Sequence, residues 1–444
     1  MKVSITTLGC RVNSYEADAM AGLLKSSGFE IVPEGEPADL FIVNTCTVTN
    51  IADRKSRQMI SKCHRLSPDS PIIVTGCWSQ RFPEAASELP GVKLVLGTSE
   101  KNRIAELANE LIAGGASRSM VRDVMHEHSF EEVSAIAEGR TRAYLKIQDG
   151  CNRFCSYCAI PYARGAVRSR SLVSVRRELE LLNEAGFAEV VLTGIHLTDY
   201  GRDIGACLAD AIDCADGLDN IKRIRLGSLE PHGLTDELIA RITGNERVCR
   251  QFHLSLQSGS TSVLGRMRRG YTAEEYAEIV DKIRSRYGSD SERVAITTDL
   301  IAGFAGETEE EHRETMEFVE KLDFARLHVF PYSRRSGTLA DKMPGQLTNA
   351  EKAARAQELI KLGKVCERRF LERFIGRKET VLIETKLKDG MLSGFTDSYV
   401  RVLTHFGAPD TLVEVNIDSI KEDANGELSL LSDSSGGDPL REGL

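Results

Sequence analysis

No stretch of this chain stays apolar for long enough to cross a bilayer, which takes about 20 residues in a helix, so a helical membrane protein is excluded. No apolar signal segment opens it either. Met1 leads straight into the strand-like Lys2-Val-Ser-Ile-Thr-Thr-Leu, and the expectation is a cytoplasmic protein. A basic excess is also missing. Lys and Arg total 57 against 66 Asp and Glu, a formal net charge of −9 that leaves any nucleic-acid binding to a local patch. What the chain does have is cysteine, eleven in 444 residues. Without export signals, that many thiols point to a reducing compartment. Hydrophobic residues at 41% and charged residues at 28% are ordinary globular material, and the length allows two or three domains.

Three cysteines crowd one short loop, Cys151-Asn-Arg-Phe-Cys155-Ser-Tyr-Cys158, after the apolar run Tyr144-Leu-Lys-Ile-Gln-Asp-Gly. Crowded thiols in a chain this size read as a metal site rather than a disulfide frame. Three thiolates can hold three irons of a 4Fe–4S cluster and leave the fourth iron open for a substrate. Zinc is the alternative, but it usually takes a fourth protein ligand close by, and no His or Cys follows at finger-like spacing.

Residues 1–113 alternate short apolar runs with helical patterns, which predicts a doubly wound parallel sheet. The strands expected are Val3–Leu8, Leu40–Asn44, Ile72–Thr75 and Leu94–Leu96. Ligand sites in such sheets lie outside the carboxyl ends of the strands. Cys10, Cys46 and Cys77 each follow a strand there. In a flavodoxin-like order these strands are neighbours about 5 Å apart, so the three thiols converge on a second metal site. The alternative is three buried free cysteines. Cys63 reads as a surface thiol. Residues 114–140 read as a linker with room for a strand of its own, and His126 and His128 as facing solvent.

Six strand-like runs separated by helical patterns follow in residues 141–368, short of the eight of a closed barrel. An open (β/α)6 partial barrel is expected. Strand-end residues are then the site candidates: Gly194, Ser228, Glu230, Gln257 and Gly303. Arg269 reads equally as a carboxylate partner or a solvent-facing helix end. Ala163-Arg-Gly-Ala-Val-Arg-Ser-Arg is the clearest basic patch, and Arg164, Arg168 and Arg170 suit phosphate contacts beside the cysteine loop. Arg54-Lys-Ser-Arg57 and Arg266–Arg269 are weaker candidates for the same surface. In residues 369–432, period-two alternation with glycine turns predicts a small antiparallel β-barrel. Residues 433–444 read as a polar, disordered tail.

The cysteine loop, with aromatic Tyr157 before its last cysteine, resembles the cluster loop of radical S-adenosylmethionine (AdoMet) enzymes. Over nearly its full length the chain resembles the methylthiotransferases. The likeness is carried by Thr7-Leu-Gly-Cys-Arg-Val-Asn-Ser-Tyr-Glu, Val43-Asn-Thr-Cys-Thr-Val-Thr, Thr75-Gly-Cys77, and the cysteine loop running into Ile160-Pro-Tyr-Ala-Arg-Gly. Cys10-Arg-Val-Asn and Asn44-Thr-Cys-Thr-Val-Thr look most like the subgroup acting on threonylcarbamoyladenosine in tRNA. The isopentenyladenosine subgroup typically has Gln-Met-Asn after the first cysteine.

The resemblance implies a C-terminal TRAM domain and two 4Fe–4S clusters, on Cys10, Cys46 and Cys77 and on Cys151, Cys155 and Cys158. It also implies AdoMet bound around Tyr157, Gly194, Ser228, Glu230, Gln257, Arg269 and Gly303. The implied reaction puts a methylthio group on adenine carbon 2 at tRNA position 37, with one AdoMet methylating a sulfur and another forming a 5′-deoxyadenosyl radical. Implied partners are the tRNA anticodon stem-loop and a reductant such as flavodoxin or ferredoxin, with no membrane. The same chemistry on isopentenyladenosine or a ribosomal-protein aspartate is an alternative, as is a non-catalytic iron–sulfur protein that binds RNA or carries electrons.

Overall fold

The structure is a computed structural model and describes residues 1–134 and 139–433. Strands β1 (Lys2–Thr7), β2 (Glu30–Val32), β3 (Leu40–Thr45), β4 (Ile72–Gly76), β5 (Val92–Val95) and β6 (Arg118–Ser119) form one parallel sheet in the order β2-β1-β3-β4-β5-β6. The first five follow the flavodoxin-like order. The sixth is the strand allowed for in the linker: Arg118 and Ser119 pair with Leu94 and Val95 and cover the open edge of β5. His126 and His128 are exposed.

Every residue of β3 and β4 is buried, because helices cover both faces of the sheet. Met20 and Leu24 of helix Arg11–Ser26 pack on one face with Ile104 and Leu107 of helix Ile104–Ile112. Ile60 and Cys63 of helix Asn50–Leu66 pack on the other. Cys63 is thus a core residue, not a surface thiol; its turn of helix faces the sheet. Thr7 lies opposite Asn44 and Thr45 opposite Gly76, so β1, β3 and β4 end level on one rim.

The central region runs through β7 (Arg142–Lys146), β8 (Gln148–Asp149), β9 (Arg168–Ser169), β10 (Glu189–Thr193), β11 (Arg223–Leu226), β12 (Ser228–Leu229), β13 (Gln251–Leu254), β14 (Ala295–Ala302) and β15 (Arg326–Pro331). Strands β8 and β9 pair antiparallel and close the base of the cysteine loop. The others are parallel, as β11-β10-β7 and β12-β13-β14-β15. Strands β11 and β12 are one run split at Gly227, whose N–H donates to Leu192 O at 2.9 Å. Six strand positions therefore follow in order, and no pairing joins β7 to β15 among the described residues. This is the open partial barrel. Along β14, Ile296, Leu300 and Ala302 enter the core under the helices, so Thr297 and Asp299 face the lumen.

The C-terminal sheet contains β16 (Lys378–Lys386), β17 (Leu392–Thr396), β18 (Arg401–Thr404), β19 (Leu412–Asn416), β20 (Ser419–Glu422) and β21 (Leu428–Ser432). Its order is β19-β16-β17-β18-β21-β20. All neighbours are antiparallel except β18 and β21, because β19 and β20 intervene in the chain between them. That pair apart, the sheet is antiparallel as expected. Phe370 and Phe374, at the end of helix Asn349–Glu372, fill its core. This sheet seals the barrel floor, where Arg225 donates to Asp397 O at 2.8 Å and stacks 4.6 Å from the Tyr399 ring centre. From residue 434 the predicted tail lies outside the described residues.

Candidate active site

Cys10, Cys46 and Cys77 leave the C-terminal ends of β1, β3 and β4. Cys10 is exposed, whereas Cys46 and Cys77 are buried. Gly9, at φ 111°, lets the first loop approach: a Cβ there would lie 2.9 Å from Cys46 Sγ. Asn13 ties the rim together, donating to Leu8 O at 2.7 Å and to Thr45 O at 3.1 Å. Burial pushes the Cys46 thiol up to about 12, with Cys77 and Cys10 adding to the rise. A thiolate forms there only against a bound cation.

The second triplet lies in the loop between β8 and β9. Cys155 is buried, while Cys151 and Cys158 are partly exposed. Gly150, at φ 72°, has no room for a side chain, since a Cβ would fall 1.8 Å from Ala166 O. Cys151 N donates to Gly165 O at 3.0 Å and Ser156 N to Met267 O at 3.0 Å, so both ends of the loop are fastened. Burial pushes Cys151 and Cys158 up to about 12 each.

Most residues expected around AdoMet stand near this loop. The Tyr157 hydroxyl accepts from Arg269 Nη1 at 3.2 Å, and its ring packs edge-on against Phe304. Arg269 is buried, pairs with Glu230, and donates to Ser255 O at 2.6 Å and to Cys155 Sγ at 3.5 Å. It is a carboxylate partner, not a solvent-facing helix end. Ser228 Oγ lies 2.9 Å from Ser255 Oγ. Gln257, held at φ 76°, donates its backbone N–H to Asp299 O at 2.9 Å. At Gly194 a Cβ would sit 2.9 Å from Gln148 Oε1. Gly303 serves packing instead: its N–H donates to Glu307 Oε1 at 3.1 Å, and a Cβ would meet Lys352 Cγ at 2.6 Å.

The arginines read as an RNA surface are corrected. Arg164, Arg168 and Arg170 are 0%, 4% and 2% exposed, so no phosphate reaches them. Arg164 bonds to Glu16, Asp149, Asn13 and Cys77. Arg168 Nη2 donates to Arg164 O at 2.9 Å. Arg170 pairs with Glu178 and donates to Tyr15 Oη at 3.1 Å. Their partners lie on helix Arg11–Ser26, on β8 and on helix Leu172–Glu184. Here the charge run is an internal seam between the N-terminal sheet and the barrel.

Comparison with known proteins decides the family. Residues 2–97 match the Uncharacterized protein family UPF0004 and residues 145–319 the Radical SAM superfamily. Over 410 residues the chain is 38% identical to the threonylcarbamoyladenosine tRNA methylthiotransferase MtaB of Bacillus subtilis, covering 90% of each chain. This chain belongs to the tRNA methylthiotransferase family. A second methylthiotransferase, MtaB of Thermotoga maritima, is 37% identical over 400 residues, again 90% of each chain. The tRNA-2-methylthio-N(6)-dimethylallyladenosine synthase of Pelotomaculum thermopropionicum is 33% identical over 402 residues, 89% of this chain and 88% of that one. Among solved structures, the radical S-adenosylmethionine methyltransferase TsrM of Kitasatospora setae shares the fold, with a TM-score of 0.55 at 18% identity over 74% of this chain and 72% of that one.

Methylthiotransferases of the radical SAM superfamily use 4Fe–4S clusters and AdoMet, and the residues present fit both. Among the described residues only His253, Asp299 and His328 bring three ligand atoms within 4.8 Å of one another. Neither cysteine triplet is that tight. Three soft thiols at each site are the donor set that an iron–sulfur cluster takes. For AdoMet, buried Arg153 Nη2 and both ring nitrogens of His196 have no hydrogen-bond partner among the described residues. Asp199 Oδ2 lies 3.3 Å from His196 Nδ1 but out of line for a bond. Unsatisfied buried polar atoms are costly, and they fit a ligand's polar groups.

The sequence reading missed Arg153 and left His196 unassigned; neither carries a signal beyond its place beside the loop or a strand end. It also missed the lumen wall of His253, Asp299 and His328 on β13, β14 and β15. Burial opposes ionisation of Asp299, but hydrogen bonds from the two imidazoles outweigh it and hold the carboxyl well below its usual range. Inward positions of the period-two pattern along those strands were the available signal.

Proposed function

We propose that this methylthiotransferase replaces the hydrogen on adenine carbon 2 of N6-threonylcarbamoyladenosine, at position 37 of tRNA, with a methylthio group. One observation carries the reaction. Two cysteine triplets stand on facing elements, one on the rim of the N-terminal sheet and one at the mouth of the barrel, with Arg164 between them. The choice of adenosine rests on likeness to the MtaB enzymes at 37–38% identity and on Arg11-Val12-Asn13 after the first cysteine.

In this reading Cys151, Cys155 and Cys158 hold the core cluster, and Cys10, Cys46 and Cys77 hold the auxiliary one. When bound, the core cluster supplies the electron that cleaves AdoMet, and the auxiliary cluster carries the sulfur to be transferred. Arg153 and His196 offer the free polar atoms that orient AdoMet and substrate, and Arg269 keeps Glu230 and Tyr157 in place. Arg335 holds the loop beyond Cys46 against the barrel, donating to Thr47 Oγ1 at 2.7 Å and to Asp53 Oδ2 at 2.6 Å. The macromolecular partner is the anticodon stem-loop, the electron donor is of the flavodoxin or ferredoxin class, and the setting is the cytoplasm. No helix among the described residues is long and apolar enough to cross a membrane.

Mass spectrometry of tRNA nucleosides from a strain lacking the gene tests this. The 2-methylthio derivative of threonylcarbamoyladenosine is expected to vanish and to return on complementation. Loss of methylthio-isopentenyladenosine instead would reassign the substrate.

A further inference from the structure

Arg164 is fully buried and uses all five of its N–H donors. Nε donates to Cys77 Sγ at 3.3 Å. Nη1 donates to Glu16 Oε1 at 2.9 Å and to Asp149 Oδ1 at 3.0 Å. Nη2 donates to Asn13 Oδ1 at 2.7 Å and to Glu16 Oε2 at 3.3 Å. Asn13 and Glu16 lie on the helix that starts after Cys10, and Asp149 stands two residues before Cys151. One guanidinium therefore touches a ligand of one triplet and the foundations of both.

The charge count around it is uneven. Lys101 Nζ lies 3.2 Å from Glu16, and Lys146 Nζ lies 2.8 Å from Glu16 and 2.6 Å from Asp149. Arg168 Nη2 also lies 3.9 Å from Asp149, so all six groups are buried and four cations face two carboxylates. A surplus buried cation is expensive unless an anion answers it. Cys77 Sγ, the remaining acceptor on Arg164 besides neutral Asn13, is where that anion would sit. A purely structural salt bridge would need neither the surplus nor the sulfur.

We propose that Arg164 is the counter-cation of the auxiliary cluster, a positioning residue whose hydrogen bond to Cys77 raises that cluster's reduction potential and fastens it to the core-cluster loop. The negative charge of a thiolate-bound cluster grows on reduction, and hydrogen bonds to its sulfurs together with nearby positive charge favour the reduced form. The proposal rests on the cluster assignment and stands whichever adenosine is the substrate.

The test uses full-length protein with Cys151, Cys155 and Cys158 changed to Ala, so that one cluster remains after anaerobic reconstitution. With 15N-arginine incorporated, pulsed EPR of the reduced cluster is expected to show a 15N coupling; its absence would overturn the proposal without any change at Arg164. In potentiometric titrations, Arg164→Gln is expected to lower the midpoint potential and Arg164→Lys to recover part of the shift. An unmoved potential in both variants with iron content intact also overturns it. So does a loss of tRNA affinity in Arg164→Lys with the potential unmoved, which would return the residue to the RNA surface. If Arg164→Gln does not fold, the labelling measurement decides.

Discussion

Each cysteine triplet is served by one buried arginine, Arg164 at Cys77 and Arg269 at Cys155. The pairing is asymmetric in what else the arginine holds. Arg269 is tied to Glu230 and Tyr157 inside the barrel mouth, whereas Arg164 is tied to Glu16 and Asp149 in the seam. In the proposed reading Arg269 belongs to the AdoMet site and Arg164 to the auxiliary cluster. Reconstituted enzyme is expected to hold about eight irons if each triplet carries a four-iron cluster. Changing either triplet to Ala should leave about half. With Cys10, Cys46 and Cys77 removed, 5′-deoxyadenosine should still be released on reduction while methylthio product is lost. Normal product from that variant would leave the auxiliary cluster without a role.

At the scale of elements, helix Asn50–Leu66 offers the exposed cations that the buried seam arginines cannot. Thr49 caps it, accepting from Ala52 N, and Ser56, Ile60 and Cys63 face inward. Arg54, Lys55 and Arg57 consequently face solvent. Val48 and Ile51, 53% and 57% exposed, stand beside them in the segment that follows Cys46. Asn50 anchors this segment to the loop beyond β15, its N–H donating to Ser333 Oγ at 3.1 Å. A basic and apolar patch beside an auxiliary-site cysteine suits a nucleic-acid strand. Changing Arg54, Lys55 and Arg57 to Ala is expected to weaken tRNA binding and to flatten its log–log salt slope by about 0.7 per lost contact. AdoMet cleavage without RNA should persist. If filter-binding titrations show the same affinity and slope as wild type, the RNA surface lies elsewhere, with the C-terminal sheet the next to test.

The whole molecule is held by charge at two seams: Glu16 joins the N-terminal sheet to the barrel, and Arg225 and Tyr399 join the barrel to the C-terminal sheet. Burial raises Glu16 and Asp149, but Arg164 and the neighbouring lysines outweigh it and hold both well below the usual carboxylate range. Because the folded values are depressed, their stabilisation is complete above the unfolded range of about 4 and is lost as pH falls below it toward the folded values. Wild type should therefore resist acid until pH drops below about 4. Glu16→Gln leaves buried cations short of a partner and is expected to cost about 3–5 kcal/mol. Chemical denaturation at neutral pH measures this, and an unchanged midpoint would remove Glu16 from its place as the hub.

Much of this protein was decided locally. The spacing of Cys151, Cys155 and Cys158 lies within one loop, and Cys10, Cys46 and Cys77 each follow their own apolar strand, so chain order alone carries both triplets. Alternating apolar runs likewise specify parallel strands covered by helices, and the barrel count of six follows from the same periodicity. The fate of charge was not local. Arg164, Arg168 and Arg170 look like a solvated patch until helix Arg11–Ser26 arrives to bury them, bringing Glu16 to Arg164 across 148 residues and Tyr15 to Arg170 across 155. The same holds for the pairing of β6: a strand in the linker was open from the sequence, but only the fold brings it to the edge of β5. Hydrophobic patterns report on a residue's immediate neighbours, while an ion pair depends on which distant segment the fold brings within about 4 Å.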